Sequence, residues 1–184
     1  MLVGPAVGRR PDRFACLALV ALTAILLAGC SWNLRLDMDS LVTGRPAMQL
    51  SRVPFYPQQE YQCGPAALAG VLGAAGVTIE PAELTRQVFL PGRQGSLQPE
   101  LLAATRRAGL IPYLTQAEPT ALLAELRGGK PVLVLQNLQT RSFPVWHYAV
   151  LVGFDAGRNQ LYLNSGVEQG LAMSAPAFLR TWDW

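Results

Sequence analysis

Histidine is almost missing from this sequence: His147 is the only one in 184 residues, and there are three cysteines, Cys16, Cys30 and Cys63. One imidazole and no cluster of thiols cannot assemble the usual ligand sets for zinc or iron, so neither a metal nor another cofactor is implied. The formal charge is only +3, and three of the basic residues, Arg9, Arg10 and Arg13, crowd near the N-terminus. No basic run or stripe remains elsewhere, which argues against nucleic acid as a partner. Internal repeats and low-complexity tracts are also lacking, so neither a solenoid nor a solvated tail is indicated. What is present, with 51% hydrophobic residues, suffices for one domain with a sizeable core.

Residues 1–29 read as an address. The three arginines form a positive n-region, and Phe14 to Ala28 is an apolar h-region too short to span a bilayer comfortably. It ends in Leu27-Ala28-Gly29-Cys30, which resembles the lipobox of bacterial lipoproteins. That resemblance implies cleavage before Cys30 and acylation of its sulfur, and several acyl chains on one residue make a stable bilayer anchor. Ser31, with no Asp after the cysteine, resembles outer-membrane sorting in Gram-negative bacteria. The expected location is the cell envelope, on the periplasmic face of the outer membrane. Cys16 then leaves with the signal and Cys30 is lipidated, so Cys63 is the one thiol left and no internal disulfide can form. Residues 30–50 are expected to be a polar tether, and residues 51–184 the globular domain.

Helices come first in that domain. Val53 to Pro57 reads as an edge strand or extended lead-in, and Cys63 to Ala75 as a helix of small residues closed by Gly76. Pro81 to Phe89, Leu97 to Ala108 with Ser96 as its N-cap, and Pro119 to Arg127 read as further helices. Ile111 to Thr115 is a short candidate strand. Strand patterns then take over: Pro131 to Gln136, His147 to Phe154, and Gln160 to Asn164 as the return arm of a hairpin. Leu171 to Met173 adds a strand and Pro176 to Trp182 a closing helix. The order predicts an α+β domain with helices packed on a mostly antiparallel sheet.

Two weak signals gain meaning together. Gly64 and Pro65 open the first helix directly behind Cys63, which places the thiol at a helix N-terminus, where backbone N–H groups favour a thiolate and can hold an oxyanion. Gln58, five residues upstream, can turn its side-chain amide to the same spot. His147 opens a strand far away in sequence. A lone cysteine is most often a small buried hydrophobe and a lone histidine a structural one. One of each, at a helix start and a strand start, is nevertheless the arrangement that a nucleophile and its base require. A third group must hold the imidazole, and strand parity limits the choice. If the hairpin loop is the two residues Ala156-Gly157, Ala149 faces Asn164, and Asn164 lies on the face of His147 as a diagonal neighbour. A slip of one residue would put Ser165 there instead. Asn164 is taken as the orienter, because its amide oxygen can accept from an imidazole N–H. Tyr56, Tyr61 and Trp146 are candidate walls of a substrate cleft.

Gln58-Gln59-Glu60-Tyr61-Gln62-Cys63-Gly64-Pro65-Ala66 and His147-Tyr148-Ala149-Val150-Leu151-Val152-Gly153-Phe154-Asp155 resemble the two signature blocks of the bacteriocin-processing, double-glycine cysteine peptidases. The similarity covers Val53 to Ser165. It implies a papain-like fold, with Cys63 as nucleophile, His147 as general base, Gln58 in the oxyanion hole and Asn164 orienting the histidine. It also implies a peptide or protein substrate. The family often carries Asp-Pro at the third position where this chain has Asn164-Ser165-Gly166, and its transporter-linked members are fused to an exporter. This chain is more similar to stand-alone lipoprotein relatives, so the double-glycine substrate rule is not carried over. The function expected is a membrane-anchored periplasmic cysteine peptidase working through a Cys63 thioester. The alternatives are a non-catalytic peptide- or envelope-binding module that keeps the fold, and an amidase or acyltransferase acting on cell-wall peptide.

Overall fold

The structure, a computed structural model, describes residues 44–58 and 61–182, which fall in the unit Leu36–Trp184. The expected signal segment, Cys30 and most of the tether lie outside the described residues. The last tether residues do not behave as a linker: Ala47–Gln49 form strand β1. They pair antiparallel with the far end of β3, Ala47 opposite Asp155 and Gln49 opposite Gly153. The sheet therefore begins ahead of Ser51, where the domain was expected to start.

Helix α1, Cys63–Ala74, is buried from Gly64 to Gly70 and again at Leu72. A helix hidden on every side must be built of small residues wherever chain crosses it closely. A Cβ on Gly70 would stand 3.0 Å from the Pro54 carbonyl oxygen, and one on Gly73 only 2.7 Å from Pro54 Cγ. The extended lead-in Val53–Pro57 lies directly across α1 for this reason. Helices α2 (Pro81–Val88), α3 (Gln98–Arg107) and α4 (Pro119–Arg127) each start with Pro in the first turn, where its missing N–H costs nothing. Ser96 does not cap α3. Its N-cap position is Leu97, and the Ser96 hydroxyl is buried without a partner among the described residues. Ile111 to Thr115, read as a strand, is extended but unpaired in any ladder.

The sheet is antiparallel in order β1-β3-β4-β5, with β2 also on β3. Strand β2 is Val132–Asn137, β3 Trp146–Asp155, β4 Gln160–Ser165 and β5 Glu168–Ser174, and helix α5, Ala175–Trp182, closes the described chain. Tyr148, Val150 and Val152 pack with α1, α2 and α3 in one core. Ala149, Leu151 and Phe154 pack with α4 and α5 in the other. Strict alternation would put Phe154 with Val152. It does not, because β3 carries a bulge: Leu151 pairs Leu163 and Gly153 pairs Tyr162, leaving Val152 as the extra residue. Phe154 and Phe178 are fully buried, each worth roughly 1.5–3 kcal/mol against exposure.

Candidate active site

Cys63 is the first residue of α1 and is half-buried. Tyr61 turns the chain into the helix at φ 62°, an uncommon conformation for a bulky residue. Gln62 at the N-cap makes no side-chain cap. The Cys63 and Gly64 amides lie in the first turn, where no intrahelical carbonyl can reach them, and Pro65 brings no N–H of its own. Gly64 is needed for another reason: a Cβ there would stand 2.6 Å from Ser96 Oγ and 2.7 Å from Ser96 Cβ. Gly64→Ala is expected to cost about 1–3 kcal/mol in thermal unfolding. Adding Ser96→Gly should recover most of the loss, and strictly additive effects in that double-mutant cycle would contradict the contact.

Gln58 is fixed at both ends of its amide. Its Nε2 donates to the Tyr148 carbonyl at 3.2 Å, its Oε1 accepts from the Gly166 N–H at 3.1 Å, and its own backbone N–H donates to the Gly166 carbonyl at 2.9 Å. These bonds set which amide atom is oxygen and which nitrogen. One Nε2 hydrogen is used on Tyr148, and the second is left for another acceptor.

The side chain joined to His147 is Ser165, not Asn164: His147 Nε2 and Ser165 Oγ are 2.9 Å apart. Asn164 is buried and its Oδ1 accepts from the Gly170 N–H at 3.0 Å. The reason lies in the register. Asp155 opposes Gln160 across a four-residue connection, not the two-residue loop expected, which alone would have preserved parity. The bulge at Val152 then slips the pairing by one, so that Val150 opposes Asn164. Continued one step, Ala149 faces Ser165, and His147 becomes its diagonal neighbour. Within that connection Asp155 Oδ1 accepts the Arg158 N–H at 3.0 Å.

Gln58, Cys63, His147, Tyr148 and Gly166 line one open groove of about 1780 Å³. No hydrogen bond joins Cys63 to His147 among the described residues. Such catalytic contacts are often long in a free protein and tighten on the substrate. Burial pushes the His147 pKa below its usual 6.5, since desolvation disfavours the charged ring. Burial, with the neighbouring Cys63 and Glu100, pushes the Tyr148 phenol up to about 12. Tyr148 therefore keeps its proton throughout the physiological range. It is a neighbour of the thiol that its plain apolar strand context gave no reason to single out. Among the described residues no three His, Cys, Asp or Glu side chains gather as metal ligands.

Of the proposed cleft walls, Tyr61 and Trp146 line the groove, while Tyr56 packs against the α1 core instead. The extended segment that runs through Ile111, Tyr113 and Leu114, all exposed, also lines the groove. Tyr113 anchors it: its hydroxyl donates to Glu125 on α4 and accepts from Lys130 Nζ. The β2–β3 loop, whose Pro144 and Val145 line the groove as well, is organised by buried Asn137, whose Oδ1 accepts from the Gln139 and Val145 N–H groups and whose Nδ2 donates to the Thr140 carbonyl.

Helix-borne thiol, strand-borne imidazole and an anchored glutamine amide beside a curled antiparallel sheet define a papain-like domain. Residues 50–182 match the family described as Peptidase_C39 like, and the chain belongs to that family of C39-like peptidases. Three solved structures share the fold. A C39-like peptidase from Bacillus anthracis is 19% identical with a TM-score of 0.59, over 76% of this chain and 93% of its own. A double glycine motif protease from an AMS/PCAT transporter, solved with its leader peptide, is 24% identical with a TM-score of 0.57, over 73% and 88%. The peptidase domain of Streptococcus ComA, a bifunctional ABC transporter of a quorum-sensing pathway, is 22% identical with a TM-score of 0.54, over 68% and 89%. No curated protein matches the chain.

Proposed function

We propose that this chain is a lipid-anchored cysteine peptidase of the bacterial cell envelope, held through acylated Cys30 and facing the periplasm. Cys63 Sγ attacks a peptide carbonyl carbon while His147 takes the thiol proton. The oxyanion that forms is held by the Cys63 amide and the second Nε2 hydrogen of Gln58. His147 then protonates the leaving amine, and water resolves the thioester by the reverse course. The observation that carries this reading is the doubly anchored Gln58 amide in the groove that Cys63 and His147 line. The substrate is a peptide segment with bulky apolar side chains, because Ile111, Leu114, Leu135, Val145 and Trp146 stand exposed along that groove. The leader peptide of the transporter protease supports a peptide ligand but not a double-glycine rule here.

The test is incubation with a mixture of unstructured peptides in H₂¹⁸O, read by mass spectrometry. Cleavage with ¹⁸O at the new carboxyl, absent with Cys63→Ala protein, supports hydrolysis. Products without ¹⁸O but joined to an added amine would make the protein a transferase, and no turnover of any peptide would favour a binding module. The latter reading draws on one observation, the uncharged Ser165 beside His147. The anchor has its own check: cells fed labelled palmitate should label the chain, and Cys30→Ala should remove the label.

Burial of His147 has a signed consequence. A base must be neutral to accept the thiol proton, and a lowered pKa keeps the ring neutral further into acid. The acid limb of kcat/KM attributable to His147 is expected to fall below pH 6.5, the ordinary histidine value. A His147-dependent limb above that pH would contradict the desolvated placement of the ring.

A further inference from the structure

We propose that Ser165-Gly166, at the tip of β4, is a single positioning element that sets the base and the oxyanion donor together, with a neutral hydroxyl in the place of an orienting carboxylate. This rests on the peptidase reading above and adds to it the control of His147 and Gln58 by one turn. Ser165 Oγ meets His147 Nε2 at 2.9 Å, and the next residue, Gly166, exchanges two hydrogen bonds with Gln58, through the Gln58 side-chain oxygen at 3.1 Å and backbone N–H at 2.9 Å. Gln58 closes the circuit by donating to the carbonyl of Tyr148, the neighbour of His147. Base, donor and turn are thus joined in one ring of contacts, and no member can shift alone.

The turn is itself held. Ser165 pairs with Glu168 across the two-residue connection Gly166-Val167, and Gly166 has φ +60°, the conformation that a hairpin turn with glycine first requires. Asn164, whose Oδ1 is taken by the Gly170 N–H, ties the turn to β5. In the working tautomer Ser165 accepts from Nε2–H and leaves the Nδ1 lone pair for the thiol proton. A hydroxyl can also donate, so it fixes the tautomer less strictly than an acceptor-only carboxylate does. Nor does it bring a negative charge to offset the burial of the ring.

Because His147 is the only histidine, ring NMR signals of the full chain, purified without a histidine tag, report one residue. Ser165→Asp is expected to raise the His147 titration midpoint above that of the parent, and Ser165→Asn to leave it near the parent value. Ser165→Ala should slow iodoacetamide alkylation of Cys63, followed on the Cys63 peptide, by roughly five- to tenfold, the scale of one lost hydrogen bond. Gly166→Ala, strained at its positive φ, should lower peptide cleavage by up to about 10²-fold through displacement of Gln58. Circular dichroism checks that each variant is folded, and if Ser165→Asp is not, alkylation of folded Ser165→Ala carries the test. An unmoved His147 midpoint in folded Ser165→Asp, unchanged alkylation in Ser165→Ala, or full cleavage in Gly166→Ala overturns the proposal. The peptidase reading fails by a different result, cleavage that survives Cys63→Ala, and the NMR titration needs no turnover.

Discussion

Cys63→Ala is expected to remove peptide cleavage altogether, and His147→Ala to lower it by about 10⁴- to 10⁶-fold, the range found when members of a nucleophile–base unit are deleted. The losses should not add. Once the thiol is gone, the base has no proton to take, so the double variant should match Cys63→Ala. Stability is the control that gives this result its meaning. Cys63 is half-buried at the groove surface, and trimming one sulfur there should change unfolding by about 0.5 kcal/mol or less. Chemistry would then be lost from a folded protein. The measurement is initial cleavage rate alongside thermal unfolding for the parent and three variants. Residual cleavage in Cys63→Ala would mean that another group attacks the carbonyl.

Gly153→Val should lower stability sharply, with a loss of activity beside it. A Cβ at Gly153 would stand 2.5 Å from the Met48 carbonyl oxygen and 2.9 Å from Gln49 Cα, both backbone of β1. Neither can swing aside like a long side chain, so β1 must leave the sheet or the bulge must straighten. Overpacking of this kind costs about 1–3 kcal/mol or more, and at this size each kcal/mol lowers Tm by roughly 2–8 °C. Gly92→Ala is the matched control, since no atom lies within 4 Å of its added Cβ. If the bulge straightens, His147 loses Ser165 as its diagonal partner, so cleavage should fall even well below the new Tm. A Gly153→Val chain as stable and active as the parent would show that β1 does not press on β3.

The same glycine explains what the sequence could and could not tell. Helix α1 and strands β2, β3 and β4 were legible because their signals were strong and local: Pro65 behind Cys63, apolar runs rich in Val and Leu, and a turn at Asp155-Ala156-Gly157. Cys63, Gln58 and His147 were placed by those elements, and the structure puts all three on one groove. Their partner was missed by one residue, since parity counting assumes an unbroken ladder and β3 has a bulge. Gly153 inside an apolar strand was the available warning, as an isolated strand glycine often marks a bulge. Ser96 misled in a similar way. A serine ahead of a helix reads as a cap, but here it is pressed against Gly64 by tertiary packing. The strand at Ala47–Gln49 was hidden because three residues carry too little periodicity to stand out from a polar stretch.

The lining of the groove is unequally held. The sheet and helix residues in it are held by burial, which needs no ion pair. The segment through Tyr113 hangs on Glu125 and Lys130 by bonds in open water, where counter-ions gather around charges and blunt them. Rising ionic strength should therefore slacken the grip on a substrate before it disturbs the sulfur or the imidazole. Salt becomes a dial on capture, with the bond-breaking step left alone.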